Sequence, residues 1–453
     1  MRRGVLLLVT GVVTACGTRQ PGRAADQRPR PDTTLPQLFD AASIYRQMGF
    51  IVAGRPLPYV ASLRYLGTGT PDSTLGVFAL SLANFSLSFR RDDAGFVAEY
   101  FVEVTLKRPG TSENAARVTT EEAIRVRGYQ ETLRVDESVI FQHFFRLTPG
   151  DYQISVLVRD RNGPNFARQE QAVSVPRFGG RGISSLVPYY DGPGRQAAAE
   201  LPRLLLNPRA TLPYGGDSLR FYVEAYGAAA DSRLAAQALD ANGGEIWRDT
   251  VPLEGNGTLA RGRLAMGAAD LPIGQAELKV RLVGLGDSTR AQLLVSFSDR
   301  WVITNFEQVT NILRYFQHQD WVRRLREAPV AERNALWREF WKETDPVPLT
   351  PENEALSEYF GRVQIANGRF GEEGGTGWLT DRGEVFITLG EPDDVLDLSN
   401  EISRGGARII RWQYRSHRLT VFFRDESGFG RYRLTPPSRG EFQRVVARVR
   451  RYQ

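Results

Sequence analysis

The sequence has very little cysteine, histidine or lysine. Cys16 is the only cysteine among 453 residues, which excludes disulfide bonds within the chain and metal sites built from several thiolates. The three histidines are far apart in the sequence, so their spacing does not predict a zinc site. Only three of the 58 basic residues are lysine, and arginine therefore carries nearly all of the positive charge. These scarce residues are His143, His318, His417, Lys107, Lys279 and Lys342.

The net charge of +6 comes from arginines that are spread among 52 acidic residues. A nucleic-acid surface needs a concentrated basic patch, so we expect no nucleic-acid partner. At the C-terminal end, arginines alternate with valines, which predicts an amphipathic helix or strand. We expect these arginines to face solvent, and a partner surface is the alternative. They are Arg444, Arg448, Arg450 and Arg451.

Common catalytic motifs are missing as well. The sequence has no Gly-x-Ser-x-Gly nucleophile turn, no His-Glu-x-x-His zinc motif and no phosphate loop ending in Gly-Lys-Ser/Thr. Six carboxylates lie within seventeen residues and offer material for acid-base hydrolysis or, with Asn400, for calcium, although the EF-hand spacing is absent. We therefore predict no catalytic residue, cofactor or metal ion. The carboxylates are Asp381, Glu384, Glu391, Asp393, Asp394 and Asp397.

The first sixteen residues have the layout of a secretory signal. Two arginines precede an apolar run from Val5 to Val13, which is too short to cross a bilayer. Val13-Thr14-Ala15-Cys16 resembles the lipobox, in which the cysteine receives diacylglycerol and the chain is cut before it. We therefore expect a signal peptide over residues 1–15 and a membrane contact through acyl chains such as palmitate on Cys16. Gly17 in place of aspartate favours the outer membrane, on its periplasmic or surface face.

Alternating apolar residues dominate the next part of the chain. Residues 16–37 have little to bury and are expected to form a flexible tether. From there to residue 298 the period of two predicts antiparallel strands with one buried face. The same pattern occurs at two places in this region: a proline-containing turn ends in glycine and leads into a strand. The two glycines are Gly150 and Gly274. We interpret this repeat as two immunoglobulin-like β-sandwich modules, residues 38–185 and 186–298.

Within the first module, the pattern predicts a long antiparallel hairpin. Phe85, Leu87 and Phe89 alternate with polar residues, and the alternation resumes from Phe96 to Leu106 after a turn. Further strands are expected at residues 139–147 and 172–175.

The spacing becomes helical near residue 300, and six of the seven tryptophans follow. Residues 299–371 predict three amphipathic helices, the third with Thr350 as its N-cap and Pro351 as its first residue. Residues 372–453 return to strands, beginning with Glu384–Leu389, and predict a small antiparallel sheet packed on the helices as an α+β unit. The predicted helix faces are Phe306, Val309, Ile312, Leu313 and Phe316; Ala335, Leu336 and Phe340; and Leu356, Tyr359, Phe360 and Val363.

A short motif carries a family likeness. Gly377-Trp378-Leu379-Thr380-Asp381 matches the signature of the bacterial GWxTD domain family, and blocks such as Trp341–Pro346 upstream and Gly390-Glu391-Pro392 downstream stand in the family's order. Residues 300–435 therefore resemble this domain. The resemblance implies a secreted or surface protein, and it implies no particular activity.

The signature admits three interpretations. In the first, which we favour, the glycines and the indole form a structural corner that joins the sheet to the helices, while Thr380 and Asp381 accept backbone hydrogen bonds. In the others, the loop binds a ligand through Trp378 and Asp381, or it is catalytic. Arg382 is expected to pair with Glu384, Asp393 or Asp394. The candidate binding or structural residues are Gly377, Trp378, Thr380, Asp381 and Arg382.

Together these patterns favour a noncatalytic interaction or scaffold lipoprotein of the cell envelope, whose partner is an unidentified envelope protein or glycan. One alternative is a surface protein that binds envelope glycans or peptides through exposed aromatic residues such as Trp378 and Tyr414. The other is an acid-base hydrolase that uses carboxylates near the signature.

Overall fold

A computed structural model describes residues 41–132, 138–214, 216–229, 231–256, 258–267, 271–284, 286–296, 305–348, 353–371, 376–399 and 407–450. The predicted signal peptide, Cys16 and the tether lie outside these residues. The described part is mostly β-sheet, with several antiparallel sheets, and its longer helices come late in the chain. Within the described ranges, no helix is long and apolar enough to cross a membrane.

The first β unit contains two sheets. Its strands are β1 (Ile51–Ala53), β2 (Tyr59–Gly67), β3 (Thr74–Ala83), β4 (Arg90–Asp92), β5 (Gly95–Lys107), β6 (Asn114–Val126), β7 (Ser138–Leu147), β8 (Gly150–Asp160) and β9 (Phe166–Val175), and its short helices are α1 (Ala41–Gln47) and α2 (Tyr129–Thr132). One sheet has the order β1-β2-β3-β7, and the other has the order β4-β5-β8-β9 with β6 also paired to β5. Buried side chains from both sheets form one apolar cluster, so the sheets pack against each other.

The predicted hairpin around residues 85–106 is wrong in its first arm. Asn84–Ser86 form a turn of 3-10 helix, in which Ser86 Oγ donates to the Ala83 carbonyl at 2.6 Å. Such local bonds compete with strand pairing, and only the three residues of β4 pair with the start of β5. The rest of β5 pairs with β6 and β8. The strands predicted at residues 139–147 and 172–175 are present in β7 and β9.

The second β unit also contains two sheets. Its strands are β10 (Gly182–Ile183), β11 (Val187–Gly194), β12 (Arg203–Leu206), β13 (Thr211–Pro213), β14 (Ser218–Tyr226), β15 (Arg233–Asp240), β16 (Glu245–Pro252), β17 (Glu254–Asn256), β18 (Leu259–Gly267), β19 (Gly274–Leu282) and β20 (Ser288–Ser296). One sheet has the order β12-β11-β14-β18-β17, with β10 paired to β14, and the other has the order β13-β20-β19-β15-β16. Strand β13 runs parallel to β20.

The two β units share the strand order of one sheet. The series β6-β5-β8-β9 of the first unit matches β16-β15-β19-β20 of the second, both in space and along the chain. Gly150 and Gly274 begin β8 and β19 with φ angles of +139° and +143°, which favour glycine. The two units therefore share a strand order and a glycine at the start of the corresponding strand.

Strand β3 is buried on both faces of its sheet, because all ten of its residues are buried. Alternate side chains face the other sheet of the first unit, and the remainder face the second unit. Helix α1 also contacts the second unit, since Tyr45 Oη lies 2.8 Å from Thr211 Oγ1. The sheets thus form successive layers. The cluster between the units contains Leu66, Leu75, Val77, Ala79, Val187, Tyr189, Leu204, Leu206 and Tyr222.

The C-terminal unit combines helices with a small antiparallel sheet. Its elements are α3 (Phe306–Ile312), a 3-10 turn (Leu313–Tyr315), α4 (Gln319–Glu327), α5 (Val330–Thr344), α6 (Glu354–Arg369), a second 3-10 turn (Gly377–Leu379), α7 (Asp381–Leu389), β21 (Asp394–Asp397), β22 (Arg408–Tyr414), β23 (Leu419–Asp425), β24 (Arg433–Leu434) and α8 (Pro436–Val449). The sheet has the order β21-β22-β23-β24. Its inner face packs in one apolar cluster with the helices and the second β unit.

The predicted face of α6 is confirmed, because its named residues are buried. The residues of the first predicted face are also buried, but α3 ends at Ile312, so Leu313 lies in the 3-10 turn and Phe316 follows that turn. For α5 the prediction is partly wrong. Trp337 and Phe340 are buried, whereas Ala335 is exposed and Leu336 is only half-buried. The N-cap of α6 is Asn353, whose side chain accepts a hydrogen bond from Leu356 N, rather than Thr350. Thr350 and Pro351 lie outside the described residues.

The strand predicted at Glu384–Leu389 is wrong, because these residues belong to helix α7. Thr380 is its N-cap and accepts a hydrogen bond from Gly383 N at 3.0 Å. Gly390, with a φ angle of +85°, ends the helix. Val385, Phe386 and Ile387 are all buried, so the residues whose alternation suggested a strand lie in a helix that is packed on more than one side.

Candidate functional site

The two glycines of the signature region lie where backbone segments cross. Gly377 lies against the last turn of α6, and a Cβ atom there would be 2.8 Å from the Asn367 carbonyl oxygen. Gly383 lies against the signature itself, and a Cβ atom there would be 2.9 Å from the Trp378 Cα atom. Contacts this short require glycine at both positions.

Trp378 is inside the protein, with only 2% of its surface exposed. The Tyr315 ring packs edge-on at 6.3 Å between centroids, and the Arg314 guanidinium lies 5.3 Å from the indole centre. Tyr414 is equally buried, and its hydroxyl donates to the Gly390 carbonyl at 3.0 Å. The expectation that Trp378 and Tyr414 are exposed aromatic residues is therefore wrong.

Thr380 connects the 3-10 turn to α7. Besides capping the helix, its hydroxyl donates to the Gly377 carbonyl at 2.8 Å. The side chain is 5% exposed, so the loss of either bond would leave a buried polar group without its partner.

Asp381 joins the start of α7 to the end of the chain. Its Oδ2 atom accepts hydrogen bonds from Leu434 N at 2.6 Å and from the Arg439 guanidinium at 2.5 Å. Arg433 lies 3.8 Å from its other oxygen. Because the Asp381 side chain is only 13% exposed, these contacts link α7, β24 and α8 in a partly dehydrated environment.

Arg382 does not make the contacts that we expected. Its guanidinium lies over the Tyr432 ring, 4.3 Å from the centroid, and near the Phe370 ring at 5.4 Å. The expected partner carboxylates lie elsewhere: Glu384 is 3.7 Å from Arg439, Asp394 is 2.7 Å from Arg411, and Asp393 accepts from Arg415 N. Residues two apart on a helix, such as Arg382 and Glu384, point in different directions.

The fold separates the six predicted carboxylates. Glu391 pairs with Arg369 at 2.7 Å, and Asp397 accepts from Ser399 N at 2.9 Å. Asp381 and Glu384 remain together beside Arg439. Burial raises the pKa of Glu384, and the Arg439 charge opposes that rise. This pair is the part of the acidic cluster that retains the geometry of a candidate acid-base site.

The histidines stay apart in the fold. His143 lies in β7 with its ring 4.7 Å from the Phe145 ring, His318 precedes α4, and His417 lies in the turn between β22 and β23. Across the described ranges, no group of three or more potential metal ligands comes together. Asn400, the proposed calcium ligand, lies outside them.

The sequence interpretation missed a buried ion pair in the second β unit, at its contact with the first. The side chains of Arg195 and Glu224 are both 0% exposed. Arg195 Nε and Nη2 donate to the two Glu224 oxygens at 2.7 Å each, and Tyr222 and Tyr226 donate to the same carboxylate. An acidic residue within the apolar strand Phe221–Tyr226 was the available signal.

This network also includes the first β unit. Arg195 Nη2 donates to the Gly67 carbonyl in β2, while Gly67 N donates to Tyr226 Oη at 2.6 Å. Arg195 Nη1 donates to the carbonyls of Ala198 and Glu200. All five guanidinium hydrogens therefore have acceptors, and the network links the two units through paired groups.

Comparison with known families identifies the C-terminal unit. Residues 286–426 match the model of the GWxTD domain. No curated protein matches the chain. A solved structure, the apo form of Bacteroides uniformis beta-glucuronidase 3, aligns with 50% of this chain at 8% identity and a TM-score of 0.15, and the alignment spans 27% of that chain's length. Residues 286–426 of this chain are therefore a GWxTD domain.

Proposed function

We propose that this chain is a noncatalytic scaffold lipoprotein of the cell envelope. Acyl chains on Cys16 attach it to the outer membrane, and two immunoglobulin-like β-sandwich modules hold the GWxTD unit in a fixed position for an envelope protein or glycan. In this proposal the modules occupy residues 38–185 and 186–298, and the GWxTD unit comprises a helical part, residues 299–371, and a sheet part, residues 372–453.

The observation that carries the proposal is the internal use of the signature side chains. Trp378 is buried, Thr380 caps a helix, and Asp381 bonds to Leu434 N and Arg439. A binding or catalytic loop would keep such groups available to a ligand. Their contacts support the structural-corner interpretation of the motif.

Two features support the sandwich architecture and the fixed arrangement. In each unit, side chains from both sheets share one apolar cluster, and one sheet repeats the same strand order, as duplicated sandwiches do. The Arg195–Glu224 network then joins the units. Moving the units apart would break the bonds that join Gly67 of the first unit to Arg195 and Tyr226 of the second. A buried polar group left without its partner costs about 1–3 kcal/mol, so such a rearrangement is costly.

The location and the lack of catalysis are tested with full-length variants. Cys16→Ser should move the protein from the membrane fraction to the soluble fraction, and continued membrane association would remove lipidation as the anchor. Turnover of an envelope glycan or peptide that is lost in Asp381→Ala but retained in an equally stable variant elsewhere would overturn the noncatalytic role.

The acid-base hydrolase remains the second candidate, because Asp381 and Glu384 lie together and burial raises the pKa of Glu384. General acid catalysis by Glu384 predicts that Glu384→Gln abolishes turnover while the fold is retained.

A glycan- or peptide-binding role would need another surface. One choice is the cavity of about 270 Å³ bordered by Tyr315, Glu358, Arg362 and Thr388. Binding there should be lost in Arg362→Ala and unchanged in Arg369→Ala.

A further inference from the structure

The positive charge of the chain is concentrated at its C-terminal end, contrary to the expectation of an even spread. Residues 407–450 contain eleven arginines and three carboxylates, a net charge of +8, whereas the whole chain carries +6. The rest of the chain is therefore slightly negative. One of the three carboxylates, Asp425, is buried, so the surface of this segment is more basic than the composition of the segment indicates.

Two of these arginines face each other at one end of the sheet. Arg424 in β23 pairs in register with Arg433 in β24, and their side chains are 53% and 65% exposed. Like charges on directly opposite residues repel. Each arginine has one long ion-pair contact, with Glu426 at 3.7 Å from Arg424 and Asp381 at 3.8 Å from Arg433, which offsets only part of this repulsion. An anion bound at this position would relieve the repulsion.

An exposed aromatic residue lies in the loop that joins the strands of the two arginines. Phe429, in the connection between β23 and β24, has 74% of its surface exposed. The Asp425 carboxylate accepts hydrogen bonds from Gly428 N at 3.1 Å and Gly430 N at 2.7 Å. These bonds, on either side of Phe429, hold the loop in one conformation with the ring pointing outward.

We propose that this end of the sheet is a contact surface for an anionic lipid bilayer. A bilayer interface places anionic headgroups around an apolar layer, which matches arginines around one projecting phenylalanine. Arg408 lies opposite Asp425 in register and, with Arg431, adds exposed positive charge near the loop. The proposal goes beyond the scaffold role and does not depend on the lipid at Cys16.

The test is vesicle co-sedimentation of the full-length Cys16→Ser chain, which removes the acylation site. The readout is the excess binding to phosphatidylglycerol vesicles over phosphatidylcholine vesicles. Each arginine near an anionic surface contributes about fivefold, so Arg424→Gln with Arg433→Gln should weaken this binding by about 25-fold. Phe429→Ala should weaken it by about tenfold. Added salt should weaken the binding of the parent chain.

Matched controls separate this surface from general effects of charge and apolarity. Arg90→Gln with Arg125→Gln removes two exposed arginines of the first β unit, and Phe166→Ala removes another exposed ring; neither should change binding. The N-terminal residues are identical in all variants and cannot cause a difference. The proposal fails if the parent chain shows no preference for anionic vesicles, or if both sheet variants retain it. Equal binding of Phe429→Ala, together with competition by heparin, would indicate a general polyanion site and would also overturn it.

Discussion

Asp381 and Glu384 both face Arg439, but their surroundings assign them different roles. Asp381 accepts a backbone hydrogen bond from Leu434 and a short bond from Arg439, so its carboxylate holds β24 and α8 to the start of α7. Glu384 makes only a 3.7 Å contact with Arg439, and burial raises its pKa. The sequence predicted Asp381 as a hydrogen-bond acceptor in a corner. Its partners lie more than fifty residues away and were not predictable from local spacing.

Substituting these two carboxylates should therefore have unequal effects on stability. Asp381→Ala should lower the free energy of unfolding at pH 7 by about 2–3 kcal/mol, because Leu434 N and Arg439 lose their acceptor. Glu384→Gln should leave the free energy of unfolding nearly unchanged or raise it. The raised pKa of Glu384 means that the folded state disfavours the charged carboxylate, so the folded state loses stability as the pH rises above about 4.5. Urea unfolding measures both. Equal losses would contradict the corner interpretation.

The protonation of His143 should make the free energy of unfolding depend on pH. Burial lowers its pKa, so the unfolded chain binds the proton more readily than the folded chain. The contribution of neutral His143 to the free energy of unfolding is complete above about pH 6.5, the pKa of histidine in an unfolded chain. It is lost as the pH falls below that value. His143→Gln should reduce the slope of the unfolding free energy between about pH 6.5 and 5, and an unchanged slope would assign the pH dependence to other groups.

At the scale of elements, the spacing of apolar residues predicted the buried side chains of α3 and α6, but it assigned the residues of helix α7 to a strand. The residues from Val385 to Leu389 favour a strand by intrinsic preference, whereas the cap at Thr380 and the glycine at Gly390 define a helix. Because α7 has buried apolar residues on several sides, its sequence does not show the helical spacing of apolar residues. Capping residues were therefore a better guide here than apolar alternation.

The cap gives a prediction for the whole signature turn. Thr380→Ala should cost about 1–2 kcal/mol of unfolding free energy, because Gly383 N and the Gly377 carbonyl both lose a hydrogen bond. Thr380→Ser retains the hydroxyl and should remain within about 0.5 kcal/mol of the parent chain. Thermal unfolding followed by circular dichroism compares the pair, and equal stability of the two variants would show that the cap has no role.

At the scale of the whole molecule, the glycine repeat predicted the two β units, and their shared strand order agrees with it. The contact between them was not predictable. Residues of β3 alternate between two clusters, so apolar residues lie on both faces of the strand and the sequence shows no clear period of two. The bond between Arg195 and Glu224, 29 residues apart, depends on the pairing of β11 with β14, which the sequence did not reveal.

The central claim, a fixed arrangement of the units, is tested most directly by a distance measurement in solution. In a Cys16→Ser background, spin labels at Glu121→Cys and Glu254→Cys, both exposed positions on different units, report the distance between the units by double electron-electron resonance. We predict one narrow distance distribution, retained in Asp381→Ala and broadened in Glu224→Ala, which leaves Arg195 buried without its partner. A broad distribution in the parent chain, or no change in Glu224→Ala, would contradict the account.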